Sequence, residues 1–449
     1  MVSLLDDDLR DALEGVIPCT VATCAADGTP NVTYVSQAHF VDPEHIALSY
    51  QFFNKTRANV LQNPRAAVAL MSPTTGSRYT LDVEYRHTES DGPLFESMKA
   101  RLAGIASHTG MAGVFRLLGA DVYRVLNIEC AIRGHGIRPP SRCNRLTAVR
   151  ATADRIVRSP DLAALFGAVL DGLRTHLGVQ HAMILMLDAP GRRLYTVAST
   201  GYPQSGVGSE IALGCGVIGV AAEQRTPIRI SYLTADYTYS RAIRESAERA
   251  GLGRQLETAI PFPGLPDSRS QLAVPVLAGD QLLGAICVES PQDLRFNHED
   301  EDAIVAIAAQ AGLAILAMRE EHPETPEAPA VAAPAAPNGP AACLHVRHFA
   351  ADDSVFLGDD YLIKGVAGAI LAKLLREHQQ GRTDFTNREL RLDPSLKLPD
   401  LSDNLEARLV LLQRRLGERS SDLRIEKTGR GRFHLHVGCR ITFTDVPAK

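Results

Sequence analysis

Tryptophan is absent from this chain of 449 residues, and aromatic side chains of all kinds make up 5% of it. The usual intrinsic fluorescence handle is therefore missing. Cysteine is sparse: Cys19, Cys24, Cys130, Cys143, Cys215, Cys287, Cys343 and Cys439 are all eight. That is too dilute for a disulfide scaffold, and no CxxC occurs, so no strong zinc signature is present. No run of about 18 apolar residues is found, which argues against a membrane span. The start, Met1-Val2-Ser3-Leu4-Leu5-Asp6-Asp7-Asp8, is acidic where a secretion signal would be basic. The expectation is a cytoplasmic protein without a membrane partner. Neither charge sign dominates, with 47 Lys+Arg against 52 Asp+Glu and a net charge of −5. The chain is not a polycation, so nucleic-acid binding needs a local patch.

What is present is ordinary for a globular protein: 45% hydrophobic and 22% charged residues. At about 100–200 residues per domain, this length predicts two to four domains. The clearest break is the stretch from His322 to Ala342, with prolines at 323, 326, 329, 334, 337 and 340. Proline removes amide donors and Ala-Pro runs offer little to pack, so 321–343 reads as a semi-extended linker. A second break falls at 131–152, punctuated by Gly134, Gly136, Pro139 and Pro140. The expected bodies are 1–130, 153–320 and 344–449, and together they predict a multidomain α+β chain. From Leu344 onward there are 18 Lys+Arg and 15 Asp+Glu, a net +3 against −8 for the remainder. The last body is mildly basic on an acidic protein, which hints at an anionic partner.

In the first body, Pro18–Ala25 and Asn31–Ala38 flank Ala26-Asp27-Gly28-Thr29-Pro30. Asp-Gly between two alternating β-branched runs is a hairpin signal. Further strands are expected at 45–52, 65–72, 78–87 and 120–128, with short helices at 55–63 and 93–106, which is a small antiparallel barrel. The hairpin ending Asp-Gly-x-Pro, followed by Asn54-Lys55-Thr56-Arg57-x-Asn59 and Asn63-Pro64-Arg65, resembles the pyridoxamine 5′-phosphate oxidase-like split barrel. That resemblance implies a homodimer holding FMN at the subunit seam, with F420 or haem as the alternatives in some relatives. A flavin phosphate wants backbone amides at a helix start together with cationic and hydroxyl donors. Lys55, Thr56 and Arg57 supply these consecutively, with Asn54 and Gln51 just before them and Tyr34 and Ser36 on the second strand. A solvated first turn of helix is the competing reading of the same residues. His39, His87 and His108 are candidate haem ligands, although a lone histidine is more often structural. A C-terminal substrate-phosphate motif is lacking; Arg138-Pro139-Pro140 only echoes one.

In the second body, apolar residues at 162, 165, 166, 169, 170 and 173 give helical spacing. Strands are expected at 181–187, 194–198, 271–277 and 282–289, with a closing helix at 299–318. Gly214-Cys215-Gly216-Val217-Ile218-Gly219, the downstream Pro227-Ile228, Val274-Pro275-Val276 and Leu283-Gly284-Ala285-Ile286 resemble a GAF domain, an α/β sandwich. The resemblance implies a pocket for a small molecule, or a dimerisation role. Tyr237, Tyr239, Arg241 and Arg244 lie in its variable, pocket-covering part. The two arginines are spaced to clamp an anion, or to pair with Glu245 and Glu248 on a solvated helix. Cys287, in an apolar strand, reads as buried and inert; Cys215, near a helix start, is the candidate redox thiol.

In the third body, a short hairpin at 354–363, three helices and a terminal hairpin around Gly429-Arg430-Gly431-Arg432 resemble a winged helix, most like response-regulator effector domains. That implies DNA contacts by Arg430 and Arg432 in the wing and by Arg408, Arg414 and Arg415 on the recognition helix. Leu405, Leu409, Leu412 and Leu416 form the core stripe of that helix. Opposite them, Val410 and Leu411 suit a protein interface better than a groove, and Asp403 and Glu406 would repel phosphate. The leading expectation is a sensor-regulator: split barrel and GAF module sense redox state or a small ligand and control a DNA-binding winged helix. The alternative is an FMN-dependent oxidoreductase regulated by its GAF domain, and a third reading is an oligomeric scaffold with vestigial pockets.

Overall fold

The computed structural model describes residues 4–14, 17–50, 54–108, 117–136, 143–188, 190, 192–230, 262–320, 343–396, 405–429 and 431–446. The first body opens with helix α1 (Asp7–Ala12), capped by Asp6, which accepts from the amides of Asp8 and Leu9. It continues through β1 (Cys19–Cys24), β2 (Pro30–Val35), β3 (Ala38–Asp42), β4 (His45–Tyr50), α2 (Asn54–Gln62), β5 (Arg65–Met71), β6 (Arg78–Glu89), α3 (Gly92–His108) and β7 (Gly119–Ile132). The strands form one split antiparallel sheet in the order β2-β1-β5-β6-β7-β4-β3. The expected hairpin is β1–β2, with Gly28 at φ 86° in its turn, a conformation that favours glycine. The count is seven strands rather than six, because residues 38–42 pair with β4 as a separate strand.

The second body begins earlier than the spacing suggested. Helix α4 (Arg145–Val157) occupies the segment read as connector, capped by Asn144. It packs on α5 (Leu162–Leu177), which is capped by Asp161 and ended by Gly178 in the left-handed region. Then come β8 (His181–Asp188), β9 (Arg193–Thr200), β10 (Glu210–Ala212), α6 (Gly216–Gln224), β11 (Ile228–Ile230), β12 (Ser270–Ala278), β13 (Gln281–Ser290) and α7 (His298–Glu320). The six strands form a curled antiparallel sheet in the order β10-β9-β8-β13-β12-β11. By length and composition α7 is apolar enough to cross a membrane, although polar residues such as Asp302 and Gln310 interrupt its apolar runs. Its Ile304, Ile307, Ala308, Ala311 and Ile315 are core residues packed on β12, α4 and α5.

Glycine is obligatory where α6 approaches the sheet. A Cβ on Gly219 would sit 2.3 Å from the Ala212 carbonyl oxygen, which is backbone and cannot swing away. Gly219→Ala is therefore expected to cost about 1–3 kcal/mol. Thermal unfolding of the two proteins measures it, and an unchanged midpoint would show that the strand–helix approach is looser.

The third body comprises β14 (Cys343–Phe349), β15 (Ser354–Leu357), β16 (Asp360–Ile363), α8 (Gly365–Gln379), β17 (Asp384–Thr386), α9 (Asn387–Leu392), α10 (Leu405–Arg419), β18 (Leu423–Gly429), β19 (Arg432–Val437) and β20 (Arg440–Val446). A four-stranded sheet β16-β15-β14-β20 and a three-stranded sheet β17-β19-β18 bracket the three helices. Strands β14, β17 and β20 were not foreseen; β20 pairs parallel with β14, far away in sequence. Thr386 and Glu389 form a reciprocal capping box at α9. The leucine stripe of α10 is buried as its spacing requires. One continuous apolar cluster joins the second and third bodies, running from Leu165 and Val197 to Leu411 and Leu412.

Candidate functional site

The cationic corner of the barrel is held by internal partners. Lys55 is exposed at the start of α2. Thr56 is buried, and its hydroxyl oxygen accepts from Asn31 Nδ2 at 2.8 Å, while Asn59 Nδ2 donates to Thr23 at 3.0 Å. Arg57 donates to Asp121 at 2.9 Å and to Thr88 at 3.0 Å, and its guanidinium lies 4.4 Å from the centre of the Tyr50 ring. Burial pushes the Asp121 carboxyl up, against the pull of Thr88 and Arg57. The three residues read as one phosphate grip thus face different ways. An α-helical turn rotates successive side chains by about 100°, and long-range partners from β2, β6 and β7 claim two of them. Tyr34 is 76% exposed beside Val32 on the outer face of edge strand β2, and Ser36 lies beyond that strand's end. Asn54 opens α2, and Gln51 lies outside the described residues. His39 is half-buried against Arg101, 3.1 Å away, and His87 pairs with Glu89 at the surface.

In the GAF body, Tyr237, Tyr239, Arg241 and Arg244 lie outside the described residues. Cys287 is buried, and burial holds its thiol well above its ordinary value, as its apolar strand implied. Cys215 is exposed at the N-cap of α6.

Barrel and GAF bodies meet through an ion network that the sequence reading missed. Arg229, at the centre of β11 and 4% exposed, chelates the Glu14 carboxylate and donates to Glu301 at 2.7 Å. Arg101 of α3 lies 3.9 Å from Glu14 and 3.7 Å from Glu301. Burial alone would raise the Glu14 carboxyl, but the charges of Arg229 and Arg101 hold it well below the carboxylate range. Burial, then the charge of Arg101, holds His39 neutral well below the usual imidazole value. An arginine between Ile228 and Ile230 was the available signal, because a charge inside a buried strand requires a partner.

The third body docks on the GAF sheet by the helix expected to read DNA. Arg408 donates to Asp188 of β8 at 2.7 Å and lies 5.4 Å from the centre of the Tyr195 ring. Arg414 donates to the Val197 carbonyl of β9 at 2.9 Å. Arg415 turns inward to the Leu362 carbonyl at 2.9 Å. Ala407, Val410 and Leu411, opposite the leucine stripe, are buried. The three helix arginines assigned to DNA are therefore engaged within the protein. Lys427 of β18 donates to Asp161 at 2.8 Å, and beside this pair a cavity of about 210 Å³ lies between α5, α10 and β18–β19, with Arg432 in its wall. Arg430 lies outside the described residues.

Residues 5–126 match the family described as pyridoxamine 5′-phosphate oxidase, and residues 161–315 match the GAF domain. An N-terminal split-barrel domain of that type and a GAF domain thus stand in tandem. Neither match reaches the third body, and no winged helix is identified there. A barrel of the first family typically binds flavin. Among curated proteins, none matches the sequence. Among solved structures, the GAF domain of a Coxiella burnetii phosphoenolpyruvate-protein phosphotransferase is 20% identical, covering 39% of this chain and 95% of its own, with a TM-score of 0.31. An FMN-binding protein from Syntrophomonas wolfei is 18% identical over 28% of this chain and 84% of its own, with a TM-score of 0.24. HupZ of Group A Streptococcus is 19% identical over 28% of this chain and 94% of its own, with a TM-score of 0.22.

Proposed function

We propose that the chain is a sensor-regulator in which small ligands of the GAF domain and split barrel govern the release of a C-terminal winged-helix module. The element order of the third body supports this reading: a sheet, three helices and a basic hairpin. The observation that carries it is the burial of the second face of α10 on β9 and α5, through Arg408–Asp188 and Arg414–Val197. Any ligand that binds the docked and released states with different affinity shifts this equilibrium; one that binds both equally does not. Duplex DNA is the proposed partner of the released module, through Arg408, Arg414 and the wing. FMN is the proposed ligand of the barrel, and a second copy of the chain its partner, favoured by the exposed Val32 and Tyr34 on β2. Thr56 and Arg57, already bonded within the barrel, hold the fold together rather than a flavin phosphate.

The test is anisotropy of a labelled random duplex at low salt, with the full chain and with Asp188→Ala. Opening the dock is expected to tighten binding by about tenfold or more, with the steep salt dependence of phosphate contacts. A released Asp188→Ala protein that ignores the duplex would remove DNA as the partner.

A further inference from the structure

At the edge of the barrel–GAF network stands one imidazole without a hydrogen bond. His298, the first residue of α7, is 4% exposed, and neither ring nitrogen has a hydrogen-bond partner. Its Nε2 lies 3.8 Å from Asp7 Oδ1; its Nδ1 lies 3.8 Å from Asp11 Oδ1 and 3.5 Å from Glu14 Oε1. Glu299 follows on the same helix. Asp7, His298 and Glu299 each offer a ligand atom, and the three atoms lie within 4.8 Å of one another.

We propose that Asp7, His298 and Glu299 form a transition-metal site, of the Zn²⁺ class, that clips α1 of the barrel to α7 of the GAF domain. The His298–Asp7 separation exceeds the roughly 3.2 Å limit of a hydrogen bond. It approaches the edge of a tetrahedron whose metal–ligand bonds are about 2.1 Å, which is about 3.4 Å. A modest contraction closes the set, with solvent in the remaining position. An imidazole beside two carboxylates selects Zn²⁺ or Mn²⁺ over Mg²⁺ and Ca²⁺, which favour oxygen-only shells. Arg145 donates to Glu299 at 2.6 Å and fixes the direction of that carboxylate. Asp7, 56% exposed at its side chain, leaves an entry path from solvent. The positive end of α7 opposes a cation, but the two carboxylates carry full charges against its partial one. The site is independent of the sensor reading.

The test uses the full chain, treated with EDTA and desalted, then titrated with Zn²⁺ by calorimetry and assayed for bound metal by plasma mass spectrometry. One Zn²⁺ per chain is expected, persisting in millimolar Mg²⁺, with a rise in the unfolding temperature. His298→Ala is expected to weaken binding by at least about tenfold, in the range seen when metal-site groups are removed. Asp7→Asn, at an exposed position that leaves folding intact, is expected to do the same. Asp302→Asn, an acidic change on α7 outside the set, is expected to leave binding unchanged. Absence of stoichiometric Zn²⁺, or equal binding by Asp7→Asn and the parent protein, would overturn the proposal and leave an adventitious ion on an acidic surface.

Discussion

Arg229→Ala is expected to uncouple the split barrel from the GAF domain. The substitution leaves Glu14 and Glu301 with only the more distant Arg101 as a shared cation, and the Glu14 side chain is 9% exposed. Breaking such a pair from one side costs up to about 3–5 kcal/mol, because a charge stays in low dielectric with less compensation. For a unit of 150–250 residues that corresponds to a fall in Tm of roughly 6–20 °C. Calorimetry should show it, together with a split of one coupled transition into two. Arg229→Met combined with Glu14→Gln should recover part of the loss, since removing both charges removes the desolvation penalty as well. A change in midpoint below about 2 °C for Arg229→Ala would mean that the network contributes little.

Acid should act on the same seam in two stages. His39 is held neutral in the fold, so below its ordinary value of 6.5 only the unfolded chain takes the proton readily, and stability falls with pH. Glu14 is held ionised, so its contribution is present above its ordinary value of 4.5 and is lost as pH falls further toward its depressed folded value. Both shifts make acid destabilising.

Local chemistry made much of the fold legible. The Asp27-Gly28 turn, the alternating strands, the Gly216–Gly219 helix start and the leucine stripe of α10 are each encoded within a dozen residues. Periodicity could not reveal β3, α4, β14 or β20, because short strands and a polar-faced helix need their partners to be recognised. The sites were less legible for a related reason. Lys55-Thr56-Arg57 has the composition of a phosphate grip, but the directions of Thr56 and Arg57 are set by Asn31 and Asp121, from other strands. Arg229–Glu14 and Arg408–Asp188 join residues more than 200 positions apart, and no spacing rule predicts such pairs. One long-range feature did show locally. Val410 and Leu411 were poor candidates for a DNA groove, and both are buried in the apolar cluster that joins the second and third bodies.

Asp188→Ala is expected to release the third body. Arg408 is buried, and its charge is matched by Asp188 at 2.7 Å and by the face of Tyr195. Without the carboxylate, the docked state loses the 2.7 Å partner of a buried cation, whereas undocking returns that cation to water. If up to about 3–5 kcal/mol is lost from the docked state alone, the docking equilibrium shifts by up to roughly 150- to 4000-fold. The exposed Lys427–Asp161 pair is worth only about 0–1 kcal/mol and does not compensate. Small-angle scattering on the full chain should therefore show a larger radius of gyration for Asp188→Ala than for the parent. Lys427→Ala should leave it nearly unchanged. Asp188→Leu combined with Arg408→Met should restore the compact form, because neither partner then buries a charge and the apolar contacts of Ala407, Val410 and Leu411 persist. Scattering profiles for Asp188→Ala that superpose on the parent would show that those apolar contacts alone hold α10 in place, and the ion pair would lose its role as the latch.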